Sequence, residues 1–312
     1  MGKIRTFVQA AQNAAFDFWE GLQTTFSGIK TSIWIPKTTD TNANAAIKPK
    51  GNGANVAQDP DGTTTGGNAR GQYATDWQKS RINAIQVANG SNATISGGRQ
   101  NRTNATDSVI GGGRDNEALG LASTIGGGRF NTSSNSISTV GGGDTNTASG
   151  SYSTVSGGRN GISSNDYATV GGGQNNTASG EHSTIGGGIA NNAIAERSTV
   201  AGGTENRSGG NRSTVGGGDL NAANGAFSTI SGGRQGKADK YGQFSHASGQ
   251  FTAKGDAQYC RYIVRTATTD ATANVELFLD GTAGSNRITI PEDTAYQFHI
   301  YITSIENTGN MP

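Results

Sequence analysis

Cysteine occurs once in 312 residues, at Cys260, so the chain has no disulfide framework and no cysteine-based metal site. Proline occurs five times against fifty glycines, and the glycines follow no every-third-residue period, which excludes a collagen-like chain. Apolar types make up 32% and aromatics 7%, too little for a conventional packed core of this length. No run approaches the ~18 apolar residues that span a bilayer. Gln9, Gln12, Asn13, Asp17 and Glu20 interrupt the opening stretch where a signal peptide would be apolar. Charge is nearly balanced, at +1, so no global field draws the chain to nucleic acid or to an anionic membrane. The expectation is a protein with no nucleic-acid partner and no membrane insertion.

Catalytic constellations are equally scarce. His182, His246 and His299 stand in unrelated contexts, the acidic residues form no recurring pair, and the phosphate-loop signature is absent. The acidic residues also lack the recurrence that a nine-residue calcium repeat requires. The chain therefore reads as non-enzymatic, with no catalytic residue, cofactor or metal.

What the chain does have is a phrase. STIGGG at Ser123 to Gly128 returns as STVGGG at Ser138 to Gly143 and as STIGGG at Ser183 to Gly188. Aligned on its aliphatic residue, it gives Ile95, Ile110, Ile125, Val140, Val155, Val170, Ile185, Val200, Val215 and Ile230, each 15 residues from the last. The second and third residues after each are glycine, and the sixth is Asn except at Gly161 and Gly236. The eighth is always Ala, Ser or Thr, and Thr precedes the aliphatic residue except at Val109.

A 15-residue unit is too short for a helical repeat and fits one coil of a β-solenoid with two short strands and two turns. Strand alternation puts Ser and Ile/Val on one face and Thr on the other. Ala118, Ala148 and Ala178 come to the same inner side from the second strand. One aliphatic side chain per coil buries too little to offset the ordering of fifteen residues. The expectation is therefore a homotrimer in which the ten Ile/Val residues face a shared axis. The glycines supply positive φ at a corner and close approach between coils. The Asn column is expected to bond along the stack or to cap the turn. Arg99, Arg114, Arg129, Arg159 and Arg234 form a partial column, either solvated surface or a contact for anionic glycan. A single file of Thr, without a second file beside it, argues against ice binding.

The tandem S-T-[IV]-G-G-G-x-x-N-x-A-x-G units, as in STVGGGDTNTASG (138–150) and ATVGGGQNNTASG (168–180), resemble the left-handed β-roll repeats of Yersinia-type trimeric autotransporter adhesin heads. They resemble phage tail fibres and tailspikes still more. GGNARGQYATDWQ (66–78) followed by QVANG (86–90) is similar to the segment that precedes such repeats in tail-fibre proteins. Autotransporter adhesins carry a secretion signal, a stalk and a membrane-anchor barrel, none of which is visible here, so the expectation favours the phage fibre. The resemblance implies a virion tail protein that attaches to the bacterial host through a surface glycan or outer-membrane receptor. A bacterial adhesin head and a purely structural virion spacer are the alternatives.

The ends read differently. Ile4, Val8, Phe18 and Leu22, flanked by Phe7, Trp19 and Phe26, form an apolar stripe that predicts an amphipathic helix over 1–36. This helix would dock on another tail, baseplate or capsid protein, or would trimerise. Residues 37–90 read as linker and lead-in cap, 91–242 as β-roll, and 243–256 as a closing coil. Residues 257–312 alternate apolar and polar and predict an antiparallel β-sandwich-like tip, where the receptor site is expected.

Overall fold

Two-residue strands separated by tight corners can bury only alternate side chains, and they hold together only if each coil hydrogen-bonds to the next. The chain is built this way. The computed structural model describes residues 31–33, 47–49, 55–57, 60–78, 80–265 and 277–280, and divides the chain into two units, Met1–Arg261 and Tyr262–Pro312.

In the first unit, thirteen parallel strands from Asn55–Val56 to Phe244–Gly249 stack in one sheet. Ten parallel strands from Arg102–Thr103 to Lys237–Ala238 stack in a second. The register is unbroken through the repeat: Ile95 pairs with Ile110, Ile110 with Ile125, and so on to Val215 with Ile230. Twelve steps at about 4.8 Å give a stack of roughly 58 Å. The solenoid thus exceeds the ten coils of the sequence repeat at both ends.

The ten Ile/Val side chains are 0% exposed within the single chain. They face the inside of their own coil, together with Ala118, Ala148 and Ala178, the Ser of each phrase and the Asn column. This corrects the expectation that they line an axis shared by three chains. The coil is narrow enough that one aliphatic, one small residue, one Ser and one Asn fill it, and the coils above and below cover the rest.

Asn makes the difference that apolar counting omits. Each buried Asn Oδ1 accepts the backbone N–H one coil later, as Asn101 does from Asn116 at 3.0 Å and Asn116 from Asn131 at 3.0 Å. Its Nδ2 donates to two glycine carbonyls, for Asn116 those of Gly112 at 3.0 Å and Gly128 at 3.1 Å. Backbone groups at the corner are thereby satisfied away from water. The last glycine of the phrase sits at that corner: Gly128 has φ +84°, and a Cβ there would lie 2.2 Å from the Gly143 carbonyl oxygen. The middle glycine, Gly127, has open space where its Cβ would be.

Both ends of the stack are closed by polar groups. Asp76 occupies the register position between Val56 and Ile95, where an aliphatic residue would otherwise stand. Its buried Oδ2 takes Arg70 Nε at 2.9 Å and Arg81 Nη2 at 3.0 Å. Burial pushes the Arg70 guanidinium below its ordinary pKa, against the pull of Asp76. Gln78 begins the amide ladder, its Oε1 accepting the Asn101 N–H at 2.8 Å. Arg70, Asp76 and Gln78 belong to the GGNARGQYATDWQ lead-in and Arg81 follows it; the longer coils here, 20 and 19 residues between strand starts at 55, 75 and 94, make room for the guanidinium groups.

At the other end Ser245 is buried in register with Ile230, as a closing coil requires. Strand Ala257–Arg261 then runs antiparallel to Phe244–Gly249 and ends the first sheet. It is the solenoid's closing strand, not the first strand of a separate tip. The Gln258 side chain meets the second sheet's edge, accepting from Lys237 N–H at 2.7 Å and donating to Lys237 carbonyl at 2.7 Å. Paired edges of this kind block further strand addition.

Two boundaries move. Thr31–Ile33 is a strand paired antiparallel with Ile47–Pro49, so the helix expected over 1–36 does not reach its end. β-Branched Thr31, Ile33 and Ile47 favour that pairing. The expected linker from 37 contains that second strand and the solenoid's first, Asn55–Val56. Among the described residues there is no helix. Residues Ile4, Phe7, Val8, Phe18, Trp19, Leu22 and Phe26 lie outside the described residues, as does most of 262–312. In that second unit, Arg265 and Phe278 form an antiparallel bridge.

Candidate functional site

With its inner positions filled, the solenoid offers function only on its outside: two sheet faces, two edges and the C-terminal end. The face of the first sheet carries the Thr file and, two residues on, Ser96, Gly111, Gly126, Gly141, Ser156, Gly171, Gly186, Ala201, Gly216 and Ser231. From Thr94 to Ser231 this face bears no charged side chain.

One edge is the arginine column. Parallel bridges connect Arg99 to Arg114, Arg114 to Arg129, Arg129 to Asp144 and Asp144 to Arg159, then continue through Gln174, Ile189, Thr204 and Asp219 to Arg234. The expected column is therefore real, with neighbours one coil apart. Arg129 grips Asp144 with two bonds of 2.9 Å, and this hydrogen bonding holds the Asp144 carboxyl below its ordinary pKa. Arg114 approaches Asp115 at 3.4 Å and lies over the Phe130 ring at 4.8 Å from its centroid. Arg99 makes no side-chain hydrogen bond or ion pair among the described residues. Beside each member is a residue at left-handed φ, among them Gln100, Asp115, Phe130, Thr145 and Asn160.

The opposite edge holds a second left-handed column that reading the histidines one at a time does not reveal. Ile137, Tyr152, Tyr167, His182, Arg197, Arg212 and Phe227 recur at the same 15-residue step with φ between +53° and +58°. The Tyr152 and Tyr167 rings stack with centroids 5.1 Å apart and planes 5° apart, and Tyr167 stacks on His182 at 4.6 Å and 6°. The coil step itself sets that separation. Both tyrosines remain about half exposed, and Arg212 lies over Phe227 at 5.3 Å. The signal was available in the sequence, because the period that defines Ile95 to Ile230 also defines this column.

At the C-terminal end, His246, Ser248, Phe251, Ala257, Gln258 and Tyr259 line a shallow groove. Phe251 is 86% exposed, carried on a loop whose shape is fixed by Asp256. The Asp256 carboxylate accepts the N–H groups of Phe251, Thr252 and Ala253 at 2.7 to 2.8 Å. Those bonds, from Ala253 and Thr252 first, lower its pKa to about 2. His246 Nδ1 lies 3.0 Å from Ser231 Oγ, and among the described residues no group of three or more His, Cys, Asp or Glu side chains is placed to hold a metal ion. His299 and the rest of the expected receptor-binding tip fall outside the described residues.

No protein-family profile matches the chain, and no curated protein matches it.

Proposed function

We propose that this chain is a non-enzymatic fibre protein of a phage tail, a homotrimer fixed to the virion through its N-terminal end, which attaches the particle to the bacterial surface. The observation that carries this reading is the unbroken register of the solenoid. Every coil repeats the same inner contacts, so the outer columns are held at a fixed pitch along a stack braced by buried amides. Such a body suits spacing and multivalent contact better than chemistry that needs a closed pocket.

The trimer stands on a different surface from the one the sequence suggested. Since Ile95 to Ile230 are covered within one chain, association uses the first sheet's uncharged Thr and small-residue face. Its small residues allow close approach between backbones. The edges and the second sheet's outer positions carry charge, at Arg102, Glu117, Arg207 and Lys237 for the sheet, and stay in water. Copies joined in this way leave both edges open to the host surface, and three weak sites gain avidity from one assembly.

The similarity of the repeat and of its lead-in to tail fibres supports the virion assignment. Gold-labelled antibody against the solenoid, applied to purified particles, tests it. Label on the tail is the expected result; label absent from particles and present on the bacterial envelope would transfer the reading to a surface adhesin.

A further inference from the structure

We propose that the edge from Arg99 to Arg159 is a rail for a linear acidic polysaccharide, with Arg99 and Arg114 its principal anion-binding side chains. This names a ligand for the attachment role proposed above and rests on that reading.

Three consecutive coils place Arg99, Arg114 and Arg129 directly beside one another. Like charges in adjacent strand positions repel. The backbone does not call for arginine there, because Gln174, Ile189 and Thr204 occupy the same position in later coils. Asp144 relieves Arg129 through its two-bond grip, and Asp115 approaches Arg114, but Arg99 has no such partner among the described residues. A guanidinium left in this state presents a planar fork that fits a carboxylate in two parallel bonds.

Phe130 is the second observation. It is 46% exposed at φ +55°, a conformation unfavourable for a bulky side chain, and gains little burial in return. The Arg114 guanidinium lies over one face of the Phe130 ring, and the other face can take the C–H side of a sugar ring. Thr145 and Asn160 follow on the same edge with polar side chains suited to sugar hydroxyls. A coil step of about 4.8 Å is close to the length of one pyranose unit in an extended chain.

The charge pattern selects among polyanions. Arg99, Arg114, Arg129 and Arg159 are interspersed with Asp115 and Asp144. Two carboxylates on the rail disfavour a nucleic-acid duplex, which carries one charge per about 1.7 Å of its axis. A polysaccharide with at most one carboxylate per sugar ring has a lower charge density and fits the same edge.

The test is binding of the intact protein to immobilised polygalacturonate, neutral dextran and duplex DNA across a salt series, with thermal melting in parallel. The expected result is binding to polygalacturonate that weakens with salt, little to dextran and less to DNA. In the Arg99→Gln/Arg114→Gln double variant, binding falls by roughly tenfold, while the melting temperature stays or rises because like-charge repulsion is relieved. Arg234→Gln, at the far end of the column, leaves binding unchanged. Absent polygalacturonate binding, tighter DNA binding, full binding by the double variant, or a loss of binding that tracks a lowered melting temperature would each overturn the proposal. Adherence of both proteins to encapsulated bacteria separates the two readings. Equal adherence sinks the rail and leaves attachment standing; polygalacturonate binding without adherence to any strain sinks attachment.

Discussion

The Asn131 Oδ1 accepts the backbone N–H of Asn146 at 2.9 Å, and both residues are fully buried. Because Asn131 Nδ2 also donates to Gly127 at 2.9 Å in its own coil and to Gly143 at 3.0 Å in the next, one side chain ties two coils together at three points. Asn131→Ala leaves the Asn146 N–H and two carbonyls without that partner. The expected loss is about 2–3 kcal/mol, read from denaturant unfolding; a loss below a few tenths would show that the ladder is incidental.

Gly161 is the ladder's missing rung. Its N–H still donates to Asn146 Oδ1 at 2.8 Å, but it offers no side chain to the Asn176 N–H one coil on. A Cβ at Gly161 would meet Val155 Cγ1 at 3.0 Å and Asn146 Oδ1 at 3.1 Å, contacts that ask each neighbour to give by a few tenths of an ångström, and its φ is not positive. Gly161→Asn should therefore stabilise the protein by about 1 kcal/mol. A lower unfolding midpoint in this variant would contradict the account of the Asn column.

Adjacent glycines of one phrase should differ sharply. Gly128→Ala forces a Cβ to 2.2 Å from Gly143 carbonyl and 2.7 Å from Asn131 Nδ2 at φ +84°, while Gly127→Ala meets nothing within 4 Å. The first is expected to cost about 3 kcal/mol or more and the second less than about 1 kcal/mol. Equal effects in thermal melts would remove the close-approach argument.

Asp256 supplies the pH prediction. Its folded pKa of about 2 lies below the ordinary 3.8, so its contribution to the 251–256 loop is complete above pH 3.8 and is lost as pH falls through about 2. Carboxyl titration by NMR should give a midpoint near 2. A midpoint near 3.8 would show that the three N–H contacts do not persist in solution.

The 15-residue period made the inner column, the Asn column, the small residues of the second strand and the Arg edge legible in the sequence. It did not reveal which side of the Ile/Val column is interior. An aliphatic residue alternating with Thr reads alike whether it faces its own coil or a neighbouring chain, and the choice turned on apolar bulk alone. The buried amide bonds of Asn116 and Asn131, invisible to that count, shift the balance toward the single coil. Asp76 was hidden for another reason: its coils are 20 and 19 residues long, so the period does not land on it. Tyr152, Tyr167 and His182 were in phase all along, and their stacking follows from the coil step. Val170 discriminates the two arrangements. Val170→Asp places a carboxylate inside one coil, so the variant should lose the solenoid's far-UV circular dichroism; folded monomers would instead favour the shared axis.

Light scattering on the intact chain, compared with Thr154→Arg/Thr169→Arg, tests most directly that self-contained coils associate through the first sheet's Thr face. The account predicts three times the 31.8 kDa chain mass for the parent and a folded, solenoid-containing monomer for the variant. A parent that stays monomeric at every concentration, or a variant that still forms the trimer, would contradict it.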